Sequence, residues 1–194
     1  MKTQTLKATI ASLLLTFILL SGWSCSNQKS SQTQVQTAGP ELPIHAASVM
    51  GDVKAINEYI KANADLNAKD EYGSTALTIS ATFGKPEVTR LLLEGGADIN
   101  ATGADGSSAL HTAAFFGRTE IVKMLLSEGI DTEIRNAFGV TALESVRVPF
   151  SNLKMIYDQV GKDLKPLGLE LDYEQIKASR HEIVKLIQDH KRSI

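Results

Sequence analysis

The sequence has 194 residues, enough for one domain of ordinary size, and its charges nearly balance. It contains 20 lysines and arginines against 22 aspartates and glutamates, which gives a formal net charge of -2. A chain without a basic excess or a basic patch is not expected to bind nucleic acid. Cys25 is the only cysteine, so an intrachain disulfide is excluded.

The N-terminal segment has the layout of a secretory signal. Lys2 and Lys7 precede an apolar run over residues 8–20, and small and polar residues follow up to Cys25. The apolar run is too short to span a membrane. We therefore expect residues 1–24 to be a signal peptide and the mature protein to be exported.

The position of Cys25 directly after this signal allows two interpretations. Ordinary cleavage near Ser24 would leave Cys25 as a free thiol. Alternatively, the junction resembles the lipobox of bacterial lipoproteins, with Gly22 where leucine is usual and Trp23 where a small residue is usual. We favour lipidation at Cys25, because the single cysteine of the chain lies at this junction. The resemblance implies a location in the bacterial periplasm or cell envelope, with the lipid anchor as the only membrane contact.

Residues 25–40 are predicted to form the lipid-attachment cysteine and a disordered tether. Residues 26–39 are rich in serine, glutamine and threonine, and they contain no aromatic residue and no apolar periodicity. Such a segment buries too little apolar surface to offset the entropy lost when a chain becomes ordered. The folded domain is therefore expected over residues 41–190.

Between residues 44 and 139 the same residue types return every 33 positions. The period is seen in three sets: Gly51, Gly84 and Gly117; Asp65, Asp98 and Asp131; and Gly73, Gly106 and Gly139. A fixed period of this length indicates stacked structural repeats. We place the repeats at about 41–69, 70–102, 103–135 and 136–190, all within one domain.

The second and third copies carry the clearest pattern. The second reads GSTAL over residues 73–77 and VTRLLLEGGADIN over 88–100, and the third reads GSSALH over 106–111 and EIVKMLL over 120–126. These segments resemble the ankyrin repeat. The resemblance implies an all-α repeat solenoid of about four ankyrin repeats, each a helix pair with a β-hairpin loop, and we expect a monomer.

The residues of one copy also explain such a fold physically. Thr75 can cap a short helix that carries Leu77, and Pro86 fits the first turn of a second helix. Gly95 and Gly96 then end the second helix. Helices of about ten residues bury too little apolar surface alone, so each copy must stack on its neighbours to complete a continuous core.

The fourth copy carries a 29-residue insertion between its two helices, at about 147–177. Ser151 is predicted to cap a helix within it, and Gly161 to end that helix. The apolar face of this helix is expected to comprise Leu153, Ile156 and Val160. Asp172, with Gln175 three residues later, is expected to form a capping box at the start of the helix that completes the repeat. The insertion either shields the apolar face of the last repeat or binds a partner, and we favour shielding, because terminal repeats are usually atypical.

The sequence offers no candidate for a catalytic, metal or cofactor site. Metal-ligand spacing is absent from the four histidines, His45, His111, His181 and His190. In the ankyrin family a histidine equivalent to His45 and His111 hydrogen-bonds the neighbouring loop, and we expect that role here. The repeated aspartates are expected to bond nearby backbone amides. We therefore predict a protein that is not an enzyme.

What remains is recognition of a partner protein. Partners of the ankyrin family usually contact the hairpin tips and the first helices, which line the concave face. Carried over position by position, the contacts predicted at the tips are Glu71, Tyr72, Asp105, Phe138 and Val140. The contacts predicted at the first helices are Phe83, Phe115 and Phe116. Of these, Phe83 and Phe116 are also expected to pack on neighbouring hairpins.

Two roles in the cell envelope fit such a module. One is to assist a periplasmic enzyme or an envelope assembly, and the alternative is to neutralise a toxin as an immunity protein or inhibitor. An enzyme that uses the insertion is a further alternative, although the insertion offers Tyr157, Asp158, Asp163 and Glu170 without a histidine partner. A competing hypothesis places the contact surface on the insertion itself, around Met155, Tyr157 and Lys165.

Overall fold

The computed structural model describes residues 42–193, in which α-helices are joined by short loops. Nine α-helices lie in this range: α1 Ile44–Met50, α2 Val53–Lys61, α3 Ala76–Phe83, α4 Pro86–Glu94, α5 Ala109–Phe115, α6 Thr119–Ser127, α7 Ala142–Arg147, α8 Phe150–Leu164 and α9 Tyr173–Ser193. One 3-10 turn, Lys165–Leu167, follows α8. Isolated antiparallel bridges, Lys69 with Thr75 and Thr102 with Ser108, close two of the hairpin loops.

Four helix pairs stack side by side: α1 with α2, α3 with α4, α5 with α6, and α7 with α9. The first helices of successive pairs contact each other, and so do the second helices. One continuous core runs through all four pairs. Its fully buried side chains include Ile56, Leu77, Leu92, Leu110, Leu125, Ile183 and Ile187. The predicted all-α repeat solenoid is confirmed.

A reciprocal cap begins the first helix of each of the last three pairs. Thr75 caps α3 as predicted: its Oγ1 accepts from the backbone N–H of Thr78 at 3.2 Å. The structure adds the return bond, in which the Thr75 N–H donates to Thr78 Oγ1 at 3.0 Å. The residues equivalent to Thr78 are His111 in α5 and Glu144 in α7, and each accepts from its own N-cap backbone N–H. Different side chains therefore serve one capping role at this repeat position.

The loops between repeats are tied by side chains, as expected. His45 Nε2 lies 2.9 Å from the Ala68 carbonyl oxygen, the predicted loop contact. The repeated aspartates each accept from the backbone N–H two residues later, as in Asp98 with Asn100 at 2.9 Å. Bonds that the sequence did not predict run between repeats: the N–H of Asp98 donates to Asn67 Oδ1 at 2.7 Å, and that of Asp131 donates to Asn100 Oδ1 at 2.9 Å.

The last helix, α9, packs closely against the third repeat at Gly117. This glycine has a φ of +67°, and a Cβ there would lie 2.4 Å from Ser179 Oγ and 3.2 Å from Ile176 Cα. Both the backbone conformation and the close approach of α9 therefore require glycine. The equivalent Gly84 is covered instead by the side chain of Arg118.

The insertion helix α8 corrects two of the predicted boundaries. Pro149, not Ser151, precedes its first residue, and the Ser151 hydroxyl is directed to the Asn152 side chain instead. Gly161 does not end α8, which continues to Leu164. A Cβ at Gly161 would lie 3.3 Å from Leu171 Cδ1, so the glycine leaves room for the segment that leads into α9.

Asp172 caps the last helix as predicted, but the hydrogen bonds of the described residues do not include the return bond to the Gln175 side chain that would complete a capping box. Asp172 Oδ1 accepts from the backbone N–H groups of Glu174 and Gln175, both at 3.0 Å. These bonds satisfy two of the N–H groups that a helix start leaves without partners. The second helix of the fourth pair begins well before the repeat equivalent of α6, and it contacts α5 as well as α6 and α7.

Candidate protein-binding groove

A groove of about 640 Å³ lies between the hairpin loops, the first helices and α8. We call it the tip–α8 groove. The hairpin tips contribute Tyr72, Ala104, Asp105 and Phe138 to its lining. The helices α3 and α5 with the residue after α5 contribute Thr78, Thr82, His111, Thr112, Phe115 and Phe116. Helix α8 contributes Leu153, Ile156 and Leu164. Its volume falls within the range of about 300–1,000 Å³ typical of ligand-binding clefts.

The two aromatic side chains at the tips face solvent. Tyr72 is 75% exposed and Phe138 is 79% exposed. Both stand on loops held by side-chain bonds: Asp70 Oδ1 accepts from the N–H of Tyr72 at 2.9 Å, and Asn136 Oδ1 accepts from the N–H of Phe138 at 3.0 Å. Aromatic side chains on hydrogen-bonded loops suit a role as interface anchors, because little ordering of the backbone is needed on binding.

The other predicted contacts lie at different depths. Glu71 and Asp105 are exposed, and Val140, Phe83 and Phe115 are half-buried. Phe116 is 7% exposed and meets the Phe115 ring edge-on, at 5.0 Å between ring centroids. The structure thus brings six of these side chains to the groove lining: Tyr72, Asp105, Phe115, Phe116, Phe138 and Val140, of which Phe116 is the most deeply buried. Glu71 and Phe83 are not part of the lining.

Helix α8 is attached to the repeats through Tyr157, which is fully buried. Its ring stacks on Phe115 of α5, with 4.3 Å between ring centroids, and on Phe150 at 5.0 Å. Its hydroxyl donates to the Phe115 carbonyl oxygen at 2.6 Å. Burial raises the pKa of Tyr157, an effect that the nearby Arg180 opposes, so the hydroxyl keeps the proton it donates. Tyr157 is therefore not accessible to a partner and cannot belong to the competing contact surface on the insertion.

This result changes the interpretation of the insertion. The predicted apolar face was Leu153, Ile156 and Val160, but Tyr157 is the residue of α8 that is buried, and Ile156 is 50% exposed beside the groove. Aromatic stacking on α5 takes precedence over the aliphatic periodicity, because a buried ring removes more apolar surface from water than the smaller side chains. The insertion covers part of the third repeat and also lines the groove.

Arg180 connects its own helix, α9, with α8 and with the C-terminal end of α7. The side chain is 7% exposed and donates from Nη1 to Tyr157 Oη at 3.1 Å. Its Nη2 donates to the carbonyl oxygens of Ser145 and Val148, at the C-terminal end of α7. In the described part of the chain no carboxylate pairs with it. The carbonyl dipoles at a helix C-terminus stabilise such a cation.

His111 joins α5 to the last hairpin, which supplies Phe138 and Val140 to the groove. Its Nε2 lies 3.0 Å from the Val140 carbonyl oxygen, the loop contact that was expected. Since a carbonyl only accepts, Nε2 carries the proton, and in the neutral ring Nδ1 then accepts from the N–H and hydroxyl of Ser108. Burial lowers the pKa of His111, partly offset by the bond to Val140 and by the charge of Asp105.

We expect His111 to make the fold less stable in mild acid. Its folded pKa lies below the ordinary value of about 6.5, so below that pH the unfolded chain binds the proton more readily. The stability contributed by neutral His111 is complete above about pH 6.5 and declines as the pH falls below it. Urea unfolding at about pH 7.5 and about pH 5.5 should show this decline.

The matched control is His111→Thr, because Thr78 fills the equivalent position in the second repeat and makes the same cap. The variant should lose less stability than the wild type over the same interval. The carboxyl groups whose pKa is lowered titrate below this interval and do not obscure the comparison. An equal loss of stability in both proteins would contradict the assignment.

Several sequence predictions cannot be followed in this structure. The signal segment, Cys25 and the tether lie outside residues 42–193. Within residues 42–193 no helix is both long and apolar enough to cross a bilayer. The same residues contain no group of three or more histidine, cysteine, aspartate or glutamate side chains placed to hold a metal ion.

The described residues form a helical repeat solenoid. Its helix pairs are joined by tight hairpin loops and stack into one core, and a groove lies beside the hairpin tips. Residues 44–136 match the family model for ankyrin repeats, in three copies. Residues 44–136 are therefore ankyrin repeats, and repeats of this family imply a protein–protein interaction module. The matched residues end before α7, so the helix pair α7 with α9 and the insertion helix α8 lie beyond them.

A solved structure supports the same assignment. The chain is similar to the ankyrin repeat domain of Bcl-3, described as a unique member of the IkappaB protein family, with 29% sequence identity and a TM-score of 0.51. The similarity covers 53% of this chain and 45% of the other. The chain thus spans less than half the length of the Bcl-3 domain.

Proposed function

We propose that this interaction module binds its partner protein through the tip–α8 groove and the adjoining hairpin tips. The observation that carries the proposal is the exposure of Tyr72 and Phe138, 75% and 79%, on hydrogen-bonded loops beside an apolar groove. Large aromatic side chains left in water in this way are characteristic of binding surfaces. Glu71, next to Tyr72, and Asp105 would form the polar rim.

The setting we propose is the bacterial cell envelope, with the chain anchored by a lipid at Cys25. There it would assist a periplasmic enzyme or an envelope assembly, with toxin neutralisation as the second candidate. The signal-like residues 1–24 and the single cysteine that follows them support this location. Catalysis is not part of the proposal, because the ankyrin-repeat family typically acts as a non-enzymatic scaffold.

The Tyr72→Ala, Phe138→Ala double variant should weaken binding by roughly thirtyfold or more, since truncating an interface anchor often costs above about 2 kcal/mol. Its melting temperature should stay near that of the wild type, because both side chains are exposed. A partner is first captured by cross-linking in envelope extracts, and affinity is then measured by calorimetry. Met50→Ala, which removes a side chain that is 67% exposed outside the groove lining, is the control. Undiminished binding by the double variant would refute the proposed surface.

Cys25→Ser should give a protein that is still exported but no longer found in the membrane fraction. Stable membrane attachment requires more than one acyl chain or an additional membrane-binding signal, which lipidation of Cys25 would supply. Fractionation of cells that express the wild type or the variant measures the difference. Equal distributions of the two proteins would exclude a lipid anchor at Cys25.

A further inference from the structure

The hydroxyl groups that line the tip–α8 groove have one feature in common: most already donate their proton within the protein. Thr82 Oγ1 donates to the Thr78 carbonyl oxygen at 3.0 Å, and Thr112 Oγ1 donates to that of Ser108 at 3.2 Å. The same holds for the lining hydroxyls of Thr78, Ser107 and Ser145. A hydroxyl has one proton and two lone pairs, so these groups offer a ligand mainly acceptor capacity.

The charge of the groove favours the same kind of ligand. Asp105 is the only charged residue among those that line it. Its carboxylate accepts from the N–H of Ser107 at 3.0 Å and from the Ser107 hydroxyl at 2.9 Å, which leaves further lone pairs open. Among the described residues no lysine, arginine or histidine forms a salt bridge with it. A cationic group of a ligand is therefore the charge complement of this groove.

The shape of the groove restricts the ligand further. Apolar side chains border it on both sides, Tyr72 and Phe138 from the tips and Ile156 from α8. Because α8 forms the second side, the accessible space is a trough and not an open face. A single extended segment can enter such a trough, place alternate side chains on the two borders, and present its backbone N–H groups to the lining acceptors.

We propose that the groove binds an extended peptide segment of the partner protein that carries a lysine or arginine beside apolar or aromatic residues. The basic side chain pairs with Asp105, and the apolar side chains pack against Tyr72, Phe138 and Ile156. Threonine and serine oxygens of the lining accept from the peptide N–H groups. This inference rests on the proposed function, because it specifies the ligand of the same groove.

The test is selection from a displayed library of random linear peptides of uniform length, with three proteins as bait: wild type, Asp105→Lys and Glu128→Lys. The wild type should enrich peptides with a basic residue close to an aromatic or apolar one. Asp105→Lys should lose the basic preference and favour acidic residues. Glu128→Lys changes the charge equally at an exposed position outside the groove, so it should select like the wild type.

A synthetic copy of the most enriched peptide then measures the contribution of the basic residue. Its replacement by alanine should weaken binding to the wild type about two- to fivefold, the effect of a solvent-accessible ion pair, and the difference should shrink in high salt. Binding to Asp105→Asn should already lack this difference.

Enrichment of peptides without basic residues, or no enrichment at all, would overturn the inference. So would a selected peptide that binds the Tyr72→Ala, Phe138→Ala double variant as tightly as the wild type. The proposed function has a separate outcome: if a captured partner needs Tyr72 and Phe138 but is not displaced by the peptide, the groove binds a folded surface. In that case the proposed function stands and the peptide inference is wrong.

Discussion

Leu110→Ala is expected to lower the free energy of unfolding by about 2 to 5 kcal/mol, the range seen when a buried leucine is truncated in a packed core. Leu110 is 1% exposed in α5, the helix that contacts α3, α6, α7 and α9. The cavity would therefore lie at the centre of the stack, where neighbouring repeats cannot collapse into it independently. A loss of this size is a large share of the total stability of a small domain.

Leu167→Ala is the matched control, since it removes the same atoms from a side chain that is 55% exposed. Thermal and urea unfolding of both variants and the wild type give the comparison. The control should change stability by less than about 0.5 kcal/mol, as is usual for surface positions. A Leu110→Ala midpoint equal to that of the wild type would show that Leu110 is not a core residue and that the repeat register is wrong.

Tyr157→Ala is expected to detach α8 from the repeats and to abolish the groove. The variant loses the stacking on Phe115 and the bond to its carbonyl oxygen, and it leaves Arg180 Nη1 without a side-chain acceptor. Truncating a large buried aromatic typically costs about 3 to 5 kcal/mol. Because Tyr157 is the only buried residue of α8, much of this cost should appear as local opening of that helix.

Hydrogen exchange measured by mass spectrometry separates local opening from global unfolding. Amides of residues 150–164 should exchange much faster in Tyr157→Ala, while those of α3 and α4 should change little. Met155→Ala, on the same helix and 83% exposed, should exchange like the wild type. Tyr157→Phe keeps the ring and loses the hydroxyl, so it should cost only about 1 to 3 kcal/mol. Unchanged protection of α8 in Tyr157→Ala would contradict the attachment described here.

The repeat pattern made most of the fold predictable. Caps, helix starts and glycine stops act within a few residues, and the period of 33 repeats them through the chain. For this reason Thr75, Pro86 and Asp172 occupy the predicted helix starts. The exposed tips at Tyr72 and Phe138 also follow from the period, because equivalent loops leave the stack on the same side.

The attachment of the insertion could not be predicted in this way. Helical periodicity selected Leu153, Ile156 and Val160 as the apolar face of α8, and the serine at position 151 resembled a cap. Neither signal contains information about which surface α8 meets. The contact that decides its position joins Tyr157 to Phe115, 42 residues earlier, and it has no equivalent in the other repeats.

The sequence alone therefore determined what local bonding and periodicity control: the ankyrin repeats, their stacking into one solenoid, the caps, and the aromatic tips. The tertiary structure decided where α8 lies and that Tyr157 is buried rather than available to a partner. It also decided that backbone carbonyl oxygens at the end of α7, and not a carboxylate, accept from Arg180. These features depend on contacts between segments distant in the chain. Each of these contacts has no equivalent in the other repeats, so no repeated sequence pattern indicates it.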